Sequence, residues 1–165
     1  MANSTAVDPP PLVQGVVTLQ HPDDADFVDL WRLWLSKRGN RPMPSRRDFE
    51  PWEFKPLIPD IFLIDVLPPP ARYRFRLVGG NVVRFHGHNF TGKTFEECFD
   101  PSAAALLTAL YDSVVEGRAP VFRAGAAYWW TEKQYDMYES CHLPLSPDGR
   151  GVNMVLAAIR FHKPH

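Results

Sequence analysis

The last third of the chain constrains the fold most: residues 119–163 read as three consecutive β-strands, and they follow directly on one well-framed helix. Asp100 is placed to accept from the free amides of that helix's first turn, and Pro101 follows where a missing N–H costs nothing. Leu106 or Leu107, Leu110, Tyr111 and Val114 recur at helical spacing, and Gly117 is expected as the left-handed residue that closes the helix. The strands are predicted over Pro120–Trp130, Gln134–Leu145 and Val152–His162, with Ser146-Pro-Asp-Gly-Arg-Gly151 as the turn between the last two. Phe122, Ala124, Ala126, Tyr128 and Trp130 share one face of the first strand. The small residues Ala124–Ala127 are expected to leave space above the sheet, opposite Tyr111. The last strand is apolar nearly throughout, which suits a central position covered on both sides.

Two more strands precede the helix. Ile61–Leu67 is β-rich and stopped by Pro68-Pro69-Pro70, and Arg72–Val78 alternates, with Tyr73, Phe75 and Leu77 on one side and three arginines on the other. Together they read as a hairpin. Asn81–Phe85 suits a short helix closed by Gly87, and Thr94–Phe99 and Glu53–Ile58 suit single helical turns. A first helix starts at Asp23 or Asp24 and stops at Gly39-Asn40. Its stripe of Phe27, Leu30, Trp31 and Trp34 must be covered, by the sheet of the same chain in preference to a second copy. Residues 1–22 are expected to be a flexible lead-in. The domain is then 23–165, with the N-terminal helix at 23–39.

Composition excludes several classes. Eighteen basic and 19 acidic residues leave a net charge of −1, with no global pull toward nucleic acid. Arg41, Arg46 and Arg47 make one connection locally basic, but Asp48 and Glu50 stand beside them as partners. No apolar run approaches the ~20 residues that span a bilayer. The start lacks the pattern of a secretory signal, and Cys98 and Cys141 form no close-spaced pair. A cytoplasmic protein with reduced thiols, bound neither to membrane nor to nucleic acid, is the expectation.

The residues Trp31-x-x-Trp34, Pro44-Ser-Arg46 with Asp48 and Pro51 downstream, Tyr73-Arg-Phe-Arg-Leu-Val-Gly79, Gly87-x-x-x-Thr91-Gly92, and Leu143-Pro-Leu145 before the Asp-Gly turn carry a resemblance over about Asp24–Lys163. In this order the chain resembles a bacterial family of stand-alone PAS domains. The resemblance implies an α+β fold: a five-stranded antiparallel sheet, short helices and one long helix on one face, plus the N-terminal amphipathic helix. It also implies a sensor or adaptor in signal transduction, acting on a small molecule or a protein partner. A homodimer built through the N-terminal helix is expected, with Phe27, Trp31 and Trp34 as its packing residues.

The chemical alternatives thin out on inspection. Gly80-Asn-Val-Val-Arg-Phe85 is similar to the photoactive flavin motif, but Val83 stands where the reactive cysteine belongs, so no adduct is expected. The long helix has no histidine to ligate haem, and no His or Cys cluster has zinc spacing. His86 and His88 read as a helix-end and a loop residue, and His142 as hydrogen-bonded packing. There is no nucleophile elbow, phosphate loop or carboxylate pair, so the chain is expected not to be an enzyme. The ligand-pocket candidates are Phe85, Leu107, Tyr111, Tyr128, Glu139 and Val155. Glu139 is either a structural carboxylate paired with Arg84 or Arg160, or the polar anchor of a ligand. The competing readings are a filled interaction module without a ligand and, behind it, a small cavity enzyme.

Overall fold

The structure, a computed structural model, describes residues 17–126 and 137–162. Its chain order is β1 (Val17–Leu19), α1 (Ala25–Arg38), β2 (Ile61–Val66), β3 (Tyr73–Val78), α2 (Gly80–His86), α3 (Phe95–Cys98), α4 (Pro101–Gly117), β4 (Val121–Ala126), β5 (Met137–Leu145) and β6 (Met154–His162). The described strands form one antiparallel sheet in the order β1-β4-β5-β6-β2-β3. The hairpin and the three-strand meander therefore lie as the sequence predicts. β6 is central, and Met154–Ile159 are all buried, as its continuous apolar run requires.

Both faces of the sheet are covered, giving two separate apolar layers. On one face α1 inserts Phe27, Leu30 and Trp34 against Cys141, Leu143 and Leu156. The helix starts where Asp24 accepts from the amides of Asp26 and Phe27, at 2.9 and 3.3 Å, and it stops at Gly39 with φ 57°. Trp34 donates its indole N–H to the Pro144 carbonyl at 2.9 Å, and Trp31 meets the edge of Phe122 with ring centres 5.1 Å apart. The tryptophan stripe thus packs within its own chain. On the other face α2, α3 and α4 cover Phe62, Ile64, Tyr73, Phe75, Val155, Ala157 and Ile159.

Five features differ from expectation. The sheet has six described strands instead of five, because Val17–Leu19 pairs with β4 (Val17 opposite Ala124, Leu19 opposite Phe122), inside the segment expected to be a lead-in. The left-handed residue after α4 is Arg118 (φ 48°), not Gly117; its N–H reaches the Val114 carbonyl, and its side chain holds the Arg150 carbonyl at 3.2 Å. The alternation of β3 breaks after Phe75. Leu63 is opposite Leu77 and Ile64 opposite Phe75, so Arg76 is the extra residue of a bulge, and Leu77 is 46% exposed instead of sharing the buried face of Tyr73 and Phe75. The turn expected at Glu53–Ile58 is replaced by 3-10 turns at Pro51–Phe54 and Ile58–Asp60. Finally, Phe122 joins the α1 layer, which turns Ala124 to that face and sets Arg123 and Gly125 under α4. Residues 127–136, which include Tyr128 and Trp130 of the expected first meander strand, lie outside the described residues.

Candidate functional site

Beneath α4, the register of β4, β5 and β6 sets side chains in cross-strand rows. Val121, His142 and Ala157 form one row, and Arg123, Ser140 and Ile159 the next. Gly125 and Tyr138 begin a third with Phe161. Tyr111 descends from α4 into this layer. Its ring centre lies 5.5 Å from that of Tyr73, 5.2 Å from Phe95 and 5.3 Å from His142. Tyr111 has no exposed surface, and His142 is 3% exposed.

The polar atoms of this layer are incompletely satisfied. His142 Nε2 shares a hydrogen bond with Ser140 Oγ at 3.1 Å, but among the described residues its Nδ1 has no partner. Neither does Tyr111 Oη, nor Arg123 Nε. Buried polar atoms without partners are rare, and three on one side of three adjacent strands are a local feature to be explained. Burial holds His142 neutral, and the Arg123 charge acts in the same direction, bringing its pKa down to about 3. Burial likewise raises the Tyr111 phenol well above its ordinary value, with the Tyr73 phenol adding to it. Burial lowers the Arg123 pKa, opposed by Tyr138. Asp112, an acid of α4, is already engaged: Tyr73 Oη donates to it at 2.5 Å, and Arg72 lies 3.5 Å away.

The sequence candidates divide between the two faces. Leu107, Tyr111 and Val155 belong to the α4 layer, and Phe85 stacks edge-on against Phe161 of that layer at 4.3 Å. Glu139 does not join them. It is opposite Ala124 and Arg160, on the α1 face, where it accepts from the amides of Asp23 at 2.7 Å and Asp24 at 3.1 Å. The carboxylate is buried, and its hydrogen-bond partners are backbone amides at the entry of α1 instead of Arg84 or Arg160. Tyr128 lies outside the described residues. Phe27 and Trp34, the candidates for helix packing or a dimer interface, are buried in the core of the same chain.

Arg160 organises the α1 face. Its guanidinium reaches Asp24 at 3.0 Å, Asp26 at 2.8 Å and Asp60 at 3.0 Å, and it lies over the Phe27 ring at 5.5 Å. Burial acts to lower its pKa, but the hydrogen bonds to Asp26, Asp24 and Asp60 outweigh that and raise it. Asp60 also accepts from Asn81 Nδ2 at 2.8 Å, so one carboxylate joins β6 to the first turn of α2. The basic connection after α1 is internally matched in the same way. Arg41 holds Asp48 at 2.8 Å and the Lys37 carbonyl at 2.6 Å, and Arg46 holds the Phe49 carbonyl at 3.1 Å.

Arg123 and Ser140 are the residues that sequence reasoning missed. Their signal was parity: Tyr138, Ser140 and His142 alternate with Glu139 and Cys141, but the alternation alone does not say which set lies under α4. His86 ends α2 against Phe90 at 4.6 Å, with burial and then the His88 charge lowering its pKa to about 3, while His88 is exposed. Cys141 is buried, and burial followed by the Glu139 charge raises its thiol pKa. Among the described residues no group of three His, Cys, Asp or Glu side chains is placed to hold a metal, and no helix is long and apolar enough to cross a membrane.

A family model described as PAS domain matches residues 20–158, and no curated protein matches the chain. PAS domains are in general sensor and interaction modules, not catalysts, and they commonly mediate protein contacts and dimerisation. The match spans most of the chain and agrees with the α+β architecture and its antiparallel sheet, so the chain belongs to the PAS domain family.

Proposed function

We propose that the chain is a non-enzymatic sensor of the cytoplasm that binds a small molecule between α4 and the sheet and reports its state to a protein partner. The observation that carries this reading is the pair of buried, unpartnered atoms Tyr111 Oη and His142 Nδ1 on the α4 face. Each costs roughly 1–3 kcal/mol if it stays unsatisfied, so a ligand that supplies hydrogen bonds there gains what the empty protein forgoes. Ser140, Ala157 and Gly125 are small residues of the cross-strand rows on the same face. Tyr111, Phe62 and Phe85 supply apolar walls, the usual make-up of a small-molecule site.

The route outward runs through β5 and β6. His142 and Ser140 alternate along β5 with Glu139, whose carboxylate holds the entry of α1. A ligand that shifts β5 would be felt at α1, which is the surface we assign to the partner. A homodimer formed there would use the outer side of α1, because Phe27 and Trp34 are committed to the core.

Native mass spectrometry before and after denaturation tests the reading. A mass retained in the folded protein and lost on unfolding supports it, and a clean apoprotein from several expression hosts contradicts it. The competing filled module has its own observation, the close ring contacts of Tyr73, Phe75 and Phe95. That module predicts a clean apoprotein and no ligand response from any additive.

A further inference from the structure

Arg123 differs from the ion-paired arginines, and it shares with Arg38 a buried Nε that has no hydrogen-bond partner among the described residues. Arg41, Arg72, Arg74, Arg76 and Arg160 each have a carboxylate within 4.0 Å. Among the described residues Arg123 has none, and its Nε is buried without a hydrogen-bond partner there. It stands on β4 opposite Ser140, one row from His142 and under α4. Arg123 as a whole is half-buried, and a guanidinium partly withdrawn from water without a counter-charge is a cost to the empty protein. Asp112, an acid of α4, is already taken by Tyr73 and Arg72. Among the described residues, Arg123, the Tyr111 phenol and the His142 imidazole thus each present unused hydrogen-bonding capacity on this face, and none of the three is an acid.

Resting on the ligand reading above, we propose that this site takes a small monocarboxylate with an apolar body, its carboxylate held by Arg123 together with Tyr111 and His142. One guanidinium balances one negative charge, whereas a phosphate would bring up to two to a site with a single cation. A carboxylate accepts at both oxygens, which suits the buried Nε–H of Arg123 and the O–H of Tyr111. The tautomer of His142 in which Ser140 Oγ donates to Nε2 leaves an N–H at Nδ1, a third donor of the same sense. The aromatic rings of Tyr111, Phe62 and Tyr138 surround the same rows and fit an aliphatic or aromatic tail.

Thermal-shift and calorimetric titrations with two matched pairs, benzoate against benzamide and hexanoate against hexanamide, test the charge directly. The carboxylate of at least one pair is expected to bind about tenfold or more tightly than its amide, because only it neutralises Arg123. Arg123→Met is expected to remove that preference while leaving the empty protein as stable as the parent or more so, since a half-buried, unpaired cation is gone. A residue with a merely structural role would lower the melting temperature instead. Tyr111→Phe should weaken the carboxylate several-fold with no loss of stability. Should Arg123→Met fail to fold, Arg123→Gln supplies the same comparison. Equal binding of amide and carboxylate, or an undiminished carboxylate preference in the Arg123 variants, overturns the carboxylate assignment and leaves the ligand reading standing. If none of the four compounds binds and native mass spectrometry also finds no retained molecule, both fail together.

Discussion

Glu139 and Arg160 are directly opposed on β5 and β6, yet they do not pair with each other. Glu139 turns to the amides of Asp23 and Asp24, while Arg160 reaches the carboxylates of Asp24, Asp26 and Asp60. The two strands thus grip the start of α1 by opposite chemistries: a carboxylate takes its N–H groups, and a guanidinium takes its capping acid. Asp24 is held from both sides, through its backbone by Glu139 and through its side chain by Arg160. This explains how a short polar entry segment can be fixed against the sheet without a large apolar contact of its own.

Arg160→Met should therefore cost about 2 kcal/mol, between the values for an exposed and a fully buried ion pair, because the cluster is partly open to solvent. Chemical denaturation measures the loss. Amide hydrogen exchange should show it concentrated in the first turn of α1 and around Asn81, which shares Asp60 with Arg160. A uniform loss of protection would mean that Arg160 stabilises the whole domain without linking these two elements.

Gly79 has a different kind of constraint. A Cβ there would lie 2.5 Å from the carbonyl oxygens of both Ile58 and Pro59, backbone atoms that cannot swing away. Gly79→Ala should destabilise the protein by about 3 kcal/mol through forced backbone displacement. Gly80→Ala is the matched control, since nothing lies within 4 Å of its added Cβ. Equal stability of the two variants would contradict the close approach.

Trp34→Ala removes a fully buried side chain and its hydrogen bond to Pro144, and should cost about 3–5 kcal/mol. Trp31→Asp should cost less, because Trp31 is only partly buried. Denaturation at two protein concentrations checks that the losses are unimolecular. A concentration-dependent midpoint for the parent, abolished in Trp34→Ala, would move this residue from the monomer core to an interface between copies.

Acid should unfold the protein partly through His142. Its pKa is lowered from 6.5 to about 3 in the folded state, so the unfolded chain takes up a proton that the folded chain refuses. The resulting stability is fully present above about pH 6.5 and declines as the pH falls toward 3, by up to about 1.4 kcal/mol per pH unit. His142→Phe should flatten that part of the stability–pH curve. An unchanged slope would show that His142 is protonated within the fold.

Much of this architecture was legible in local chemistry. Asp24 and Asp100 cap their helices as side-chain acceptors, Pro101 opens α4, and Gly39 and Gly87 close α1 and α2 with positive φ. These signals act within a few residues, so a sequence displays them. What stayed hidden depends on partners far along the chain. Val17–Leu19 is too short to announce a strand and becomes one only beside β4. The bulge at Arg76 shows only against Leu63 and Ile64 of the neighbouring strand. The site turned on the same limit: alternation separated Glu139 from His142, but only the burial of Phe122 under α1 decided which of them would meet Tyr111.

The most direct test of the account is an electron-density map of the protein purified without additives, read at Tyr111 Oη and His142 Nδ1. The account predicts non-protein density larger than a water molecule, within hydrogen-bonding distance of both atoms. A map in which these atoms are bonded to groups of the chain itself, or face only packed apolar side chains, would contradict it.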